Sequence, residues 1–171
     1  MIINASPLII FGKLNRISIL KALYNDIQIS NEVYKEVVLK GIEKKSTEAF
    51  VIKDFIDNKK IKVINLDEKF SALADKIQSI YNLDIGEAET IALALQLKNK
   101  EVIIDEISAR ESAKAFGVKP IGSLRVLLTA YKKGLINEEE IHNTIQEMED
   151  SKYRFSPKVL MEFWKLFGKI K

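Results

Sequence analysis

The sequence predicts an α/β fold built on a central parallel sheet with helices on both faces. Three observations carry this reading. Short apolar runs of strand length recur along the chain, they are separated by helix-period segments of ten or more residues, and the pattern turns purely helical after Gly134. Connections that long suit right-handed crossovers and not hairpins, which is the signature of parallel pairing.

Taken in order, MIIN at residues 1–4 reads as a short buried strand. SPLIIFGKL follows, with Ser6 placed to cap a helix and Pro7 at its first position, where a missing N–H does no harm. Ile17, Leu20, Leu23 and Tyr24 recur at helical spacing, IQIS at 27–30 reads as a second strand, and Ser30 caps a helix carrying Val33, Tyr34, Val37 and Val38. A third strand is expected at IKVINL, 61–66, followed by a helix through Phe70, Leu73, Ile77 and Ile80. NLDIG breaks that helix, and another runs through Ile91, Ala94, Leu95 and Leu97. EVIID at 101–105 is the clearest strand; its helix covers 107–116 and ends at Gly117, and VKPIG forms the last strand before the helix SLRVLLTAYKKG.

Beyond Gly134, Asn137 and Glu140 have the spacing of a capping box and Ile136 with Ile141 that of a hydrophobic staple. Ser156 and Pro157 open a final helix whose Val159, Phe163 and Phe167 form one stripe, with Leu160 and Trp164 beside it. The expected organisation is an α/β domain over residues 1–136, with residues 137–171 a C-terminal helical hairpin packed on it.

With 171 residues, no Cys and a single His, the chain suits one domain with an ordinary core and offers no disulfide or thiolate zinc site. The N-terminus lacks a basic region and its apolar run is broken by Asn4, Ser6 and Pro7, so a soluble cytoplasmic protein with no membrane contact is expected. The net charge of +3 hides an asymmetry: residues 137–150 carry six acids and no Lys or Arg, whereas residues 151–171 carry six bases against Glu162 alone. Two helices that attract each other explain this better than a nucleic-acid arm.

Chemistry-bearing side chains fall just past strands or near helix starts: Asn4, Glu36, Glu87 with Glu89, and Asp105. In an open parallel sheet such positions converge beyond the carboxyl ends of the strands. Carboxylate and amide oxygens in that crevice suit a hard divalent cation, Mg²⁺ or Mn²⁺. Each residue also has an ordinary structural use. Glu36 can pair with Lys40, Glu87 and Glu89 can serve a helix dipole, Asp105 can cap the following helix, and Asn4 can form a turn.

INASPLI, ISNEVYKEV, LDIGEAETIALALQL, VIIDEISARESAKAFGVKPIGSLRVLLTAYKKGLI and YRFSPKVL, in that order and spacing, resemble a PIN domain. In detail they are most similar to a prokaryotic PIN-like family described as predicted nucleic-acid-binding proteins. The resemblance implies a three-layer α/β/α fold and a metal-dependent ribonuclease site, as in the toxin subunits of many toxin–antitoxin pairs. It implies a small antitoxin as a protein partner, single-stranded RNA as substrate and a homodimer. The family's first acid falls on Asn4, with Ser6 as the hydroxyl two positions later; the second falls on Glu36, the third on Glu87 with Glu89 as alternative, and the fourth on Asp105 with Glu106 adjacent. Asn4 departs from the usual Asp, since an amide oxygen can ligate a cation but brings no charge and cannot act as a base. That departure supports a second expectation, a catalytically impaired PIN-derived module that binds RNA or a protein. Arg110, Lys114, Lys119 and Arg125 surround the final strand and are the expected phosphate contacts.

Overall fold

The computed structural model describes residues 1–170. Five strands form a single parallel sheet: β1 (Ile2–Ile3), β2 (Ile27–Ser30), β3 (Ile61–Ile64), β4 (Glu101–Ile103) and β5 (Lys119–Ile121). All five lie within the runs the sequence marked as strands. Their order is β3-β2-β1-β4-β5, so the chain winds outward from β1 to one edge and returns through β4 to the other. The switch point lies between β1 and β4, where Ile2 pairs with Val102 and Ile3 with Ile103. Helices cover both faces and complete the three-layer α/β/α arrangement.

The first helix departs from expectation. It is α1 (Ala5–Lys13), with Asn4 at its N-cap position and Ser6 exposed inside its first turn. The Leu8 N–H donates to the Asn4 carbonyl at 3.3 Å while the Asn4 N–H donates to Ile103 at 2.9 Å, so one residue ends the strand and begins the helix. Pro7 remains harmless because its position is among the four that lack an intrahelical acceptor. After α2 (Ile17–Leu23) and β2, Ser30 caps α3 (Asn31–Tyr34) as the sequence foretold, its hydroxyl accepting from the Val33 N–H at 3.3 Å.

The chain then runs through a π-helical segment, Lys35–Lys40, into the single turn α4 (Gly41–Glu43). The helix expected through Val37 and Val38 is therefore present, but its π-helical form was not anticipated, and neither was α5 (Thr47–Asp57). α6 (Glu68–Tyr81) starts at the Asp67 cap and stops at Asn82, whose φ of 51° is left-handed. α7 (Ile85–Gln96) is buried on nearly every side through Ala88, Thr90, Ile91, Ala92, Leu93 and Ala94. It forms a core with Ile2, Ile77, Val102 and Ile104, and with Ala109 and Ala113 of α8 (Ile107–Ala115).

By internal contacts the chain divides into two units, residues 1–122 and 123–171. The second comprises α9 (Ser123–Lys132), α10 (Glu138–Asp150) and α11 (Pro157–Ile170). The capping box is formed, with the Glu140 N–H donating to Asn137 at 2.8 Å and the Asn137 N–H to Glu140 at 2.7 Å. Ile136 and Ile141 are both buried beside it. The acidic α10 meets the basic α11 directly: His142 stacks on Trp164 with ring centroids 4.5 Å apart. Phe163 and Phe167 are buried as expected, whereas Val159 at the start of the stripe is 44% exposed. Among the described residues no helix is long and apolar enough to cross a membrane.

Candidate functional site

The carboxyl ends of β1 and β4 emerge side by side at the switch point, and this is where Asn4 and Asp105 lie. Asn4 is 4% exposed and its side chain does not cap α1. Instead its amide oxygen accepts from the Thr90 hydroxyl of α7 at 3.2 Å. The same hydroxyl sits 2.7 Å from the Gly86 carbonyl oxygen, so Asn4 is tied to the first turns of α7. Asp105 follows β4 and stands just before Glu106, the N-cap residue of α8. A Cβ built on Gly122 would stand 3.1 Å from Asp105 Oδ1 and 3.2 Å from Arg110 Nη1, which places the carboxylate and the guanidinium on either side of one small gap. Glycine keeps that gap open.

Glu36 is delivered by the π-helical segment, a geometry that recurs at functional sites because the extra residue per turn re-aims a side chain. It approaches the start of α7 so closely that a Cβ on Gly86 would lie 3.5 Å from its Oε2. Burial pushes its carboxyl above the ordinary glutamate value, with Asp84 adding to the effect and Lys40 and Lys44 opposing it. Burial does the same to Glu87, and the negative charges of Asp84, Glu106 and Glu36 raise it further, against a hydrogen bond from the Asp84 backbone. Glu36, Asp84, Glu87 and Glu106 therefore share one electrostatic neighbourhood.

The remaining expected residues have other employment or other places. Glu87 accepts from the Asp84 N–H at 3.1 Å, so it closes the N-terminus of its own helix. Glu89 accepts from the Glu32 N–H at 3.0 Å, in the first turn of α3. Ser6 is exposed on α1. Arg110 donates to the Ile104 carbonyl at 2.9 Å, a half-buried tie within the fold. Lys119 opens β5, at the amino end of the strands and away from their carboxyl ends, in an ion pair with Glu101 at 2.7 Å. Lys114 is exposed on α8, and Arg125 is exposed on α9 in the second unit.

Sequence reasoning passed over Asp84, Thr90 and the lysines of the turn after Glu36. Asp84 had a legible signal, an Asp followed three residues later by Glu at a helix start. Every candidate donor is an oxygen, and crowded carboxylates held partly out of water are relieved by a cation, so the donor set suits a hard metal ion. Among the described residues no group of three or more acids or His is spaced to hold one.

Fold and crevice together define an α/β protein with an acidic, oxygen-lined site at the switch point of its sheet. A family model described as a PIN domain matches residues 1–169, and the chain belongs to that family. PIN domains are nuclease-type domains that in general depend on divalent metal ions. No curated protein matches the chain.

Proposed function

We propose that this protein is a Mg²⁺- or Mn²⁺-dependent endoribonuclease of PIN type, acting on single-stranded RNA. The observation that carries the reading is the position of Asn4 and Asp105 just past β1 and β4 at the switch point, near Glu36 and Glu87, whose carboxyls are raised first by burial and then by neighbouring acids. Asp105 and Asn4 would hold the cation, with Glu36, Glu87 and Glu106 as further oxygen ligands or as acceptors for its waters. When bound, the ion supplies charge neutralisation at the scissile phosphate and a more acidic water. The chain's own part is to position and to exclude: Thr90 orients the Asn4 oxygen, the α7 core fixes Gly86 under Glu36, and Gly122 keeps space beside Asp105. The proposal extends to a toxin role, with a small antitoxin restraining the site, and to a homodimer.

A second reading is favoured by Asn4 itself. With a neutral amide at the first acid and Glu87 engaged in capping, the chain would be a binding module that holds RNA or a protein without cutting. One assay separates the two. Labelled single-stranded RNA should be cut slowly in Mn²⁺, spared in EDTA and by Asp105→Asn, and cut about tenfold or more faster by Asn4→Asp, because a carboxylate strengthens both cation binding and water activation. Inert wild type and inert Asn4→Asp that still bind RNA would select the module.

A further inference from the structure

The geometry points to Lys40 and Lys44 as the contacts for RNA backbone phosphates at the crevice. This inference rests on the reading of the crevice as an RNA site and adds two cations to those expected from sequence. Of the latter, Lys119 is in an ion pair at the amino end of β5 and Arg110 donates to the Ile104 carbonyl.

Glu36 and Lys40 stand four residues apart in the π-helical segment, and Lys44, the C-cap of α4, is four further on with its N–H donating to the Lys40 carbonyl at 3.1 Å. Residues spaced by four share a helix face, so the two ammonium groups extend in a row from the Glu36 carboxylate. Both lysines are exposed. Neither Lys40 nor Lys44 takes part in the ion pairs that join Lys35 to Glu32, Lys53 to Asp57, Lys62 to Asp26 and Lys119 to Glu101. Both are near enough to Glu36 to interact with its carboxylate.

The row is also fixed in place. A Cβ on Gly41 would come within 2.6 Å of the Ala49 Cβ, so the turn between the two lysines lies flush against α5. A polyanion that presents one phosphate to the acidic crevice would meet these two cations with its next phosphates. Acids at the reacting centre with cations beside it are what an RNA strand requires, since the crevice alone would repel it.

The test is fluorescence anisotropy with a labelled single-stranded RNA in EDTA, titrated across salt, comparing wild type, Lys40→Gln/Lys44→Gln and the control Lys98→Gln/Lys100→Gln. The control removes the same charge from exposed residues just before β4, at the amino end of the strands. Binding by the Lys40/Lys44 variant should weaken about tenfold at low salt, and its log–log salt slope should shrink by about 1.4, the share of two single-strand phosphate contacts. The control should keep the wild-type slope. Equal slopes for wild type and the Lys40/Lys44 variant, equal losses in both variants, or no binding by wild type would each overturn the inference. Cleavage in Mn²⁺ is scored separately: wild type that cuts RNA while the Lys40/Lys44 variant binds normally refutes the rim and leaves the nuclease reading standing.

Discussion

Asn4 shows how one residue can serve two levels of structure. Its backbone joins β1 to α1 and its side chain reaches α7, so a residue legible in sequence as a turn former is instead a buried polar contact. Glu36 and Glu87 give the residue scale its pH dependence. Both carboxyls hold protons more tightly in the folded chain than in the unfolded one. Stability is therefore undiminished below the ordinary glutamate value and falls as pH rises toward and through the raised values. Glu36→Gln removes the charge, so it should raise Tm by about 1–3 °C at pH 7 in EDTA and leave Tm unchanged near pH 4, the effect being modest because the group is half exposed. Paired thermal melts at the two pH values check this, and a Gln variant less stable at pH 7 would contradict it.

Among the elements, the five strands were legible because each is a compact apolar run bounded by polar or turn residues. The site was legible in part, and for a related reason: residues just past strands must gather at one edge of a parallel sheet. What the sequence hid has physical causes. α5 buries only Ala49 and Ile52 and leaves Phe50 55% exposed, so its stripe is too thin to register. A π-helical segment does not follow the 3.6-residue period by which helices are recognised. Ser6–Pro7 resembles a helix start, yet the helix begins two residues earlier because Asn4 already carries the strand's last hydrogen bond. Glu87 and Glu89 could not be told apart by spacing; only packing sends Glu89 to α3.

Two glycines test the element scale in opposite directions. Gly41→Ala drives a methyl into Ala49 and should destabilise by about 1–3 kcal/mol, with loss of the ordered turn behind Glu36. Gly168→Ala meets nothing within 4 Å on α11 and should stabilise by up to about 1 kcal/mol. Chemical denaturation of both variants measures the contrast. Stabilisation by Gly41→Ala would mean that α4 does not pack on α5 as described.

For the whole molecule, the sheet order places a ligand crevice between β1 and β4 before any side chain is considered, and family membership agrees with the topology. The second unit has its own logic. α9 buries Leu124, Val126, Leu127 and Leu128, and both α10 and α11 pack against α9. Removing residues 137–171 strips that cover, so the truncated chain should aggregate or change its mass per particle in light scattering. A monodisperse truncation of unchanged oligomeric state would show that α10 and α11 are dispensable to the fold.

The central claim is that the switch-point crevice is a cation site built on Asp105 and Asn4. A crystal soaked in Mn²⁺ and measured for anomalous scattering tests it most directly. The account predicts a peak beyond the ends of β1 and β4, within about 2.0–2.6 Å of an Asp105 oxygen and lost in Asp105→Asn. Manganese bound elsewhere with the crevice vacant, or an unaltered peak in Asp105→Asn, would contradict it.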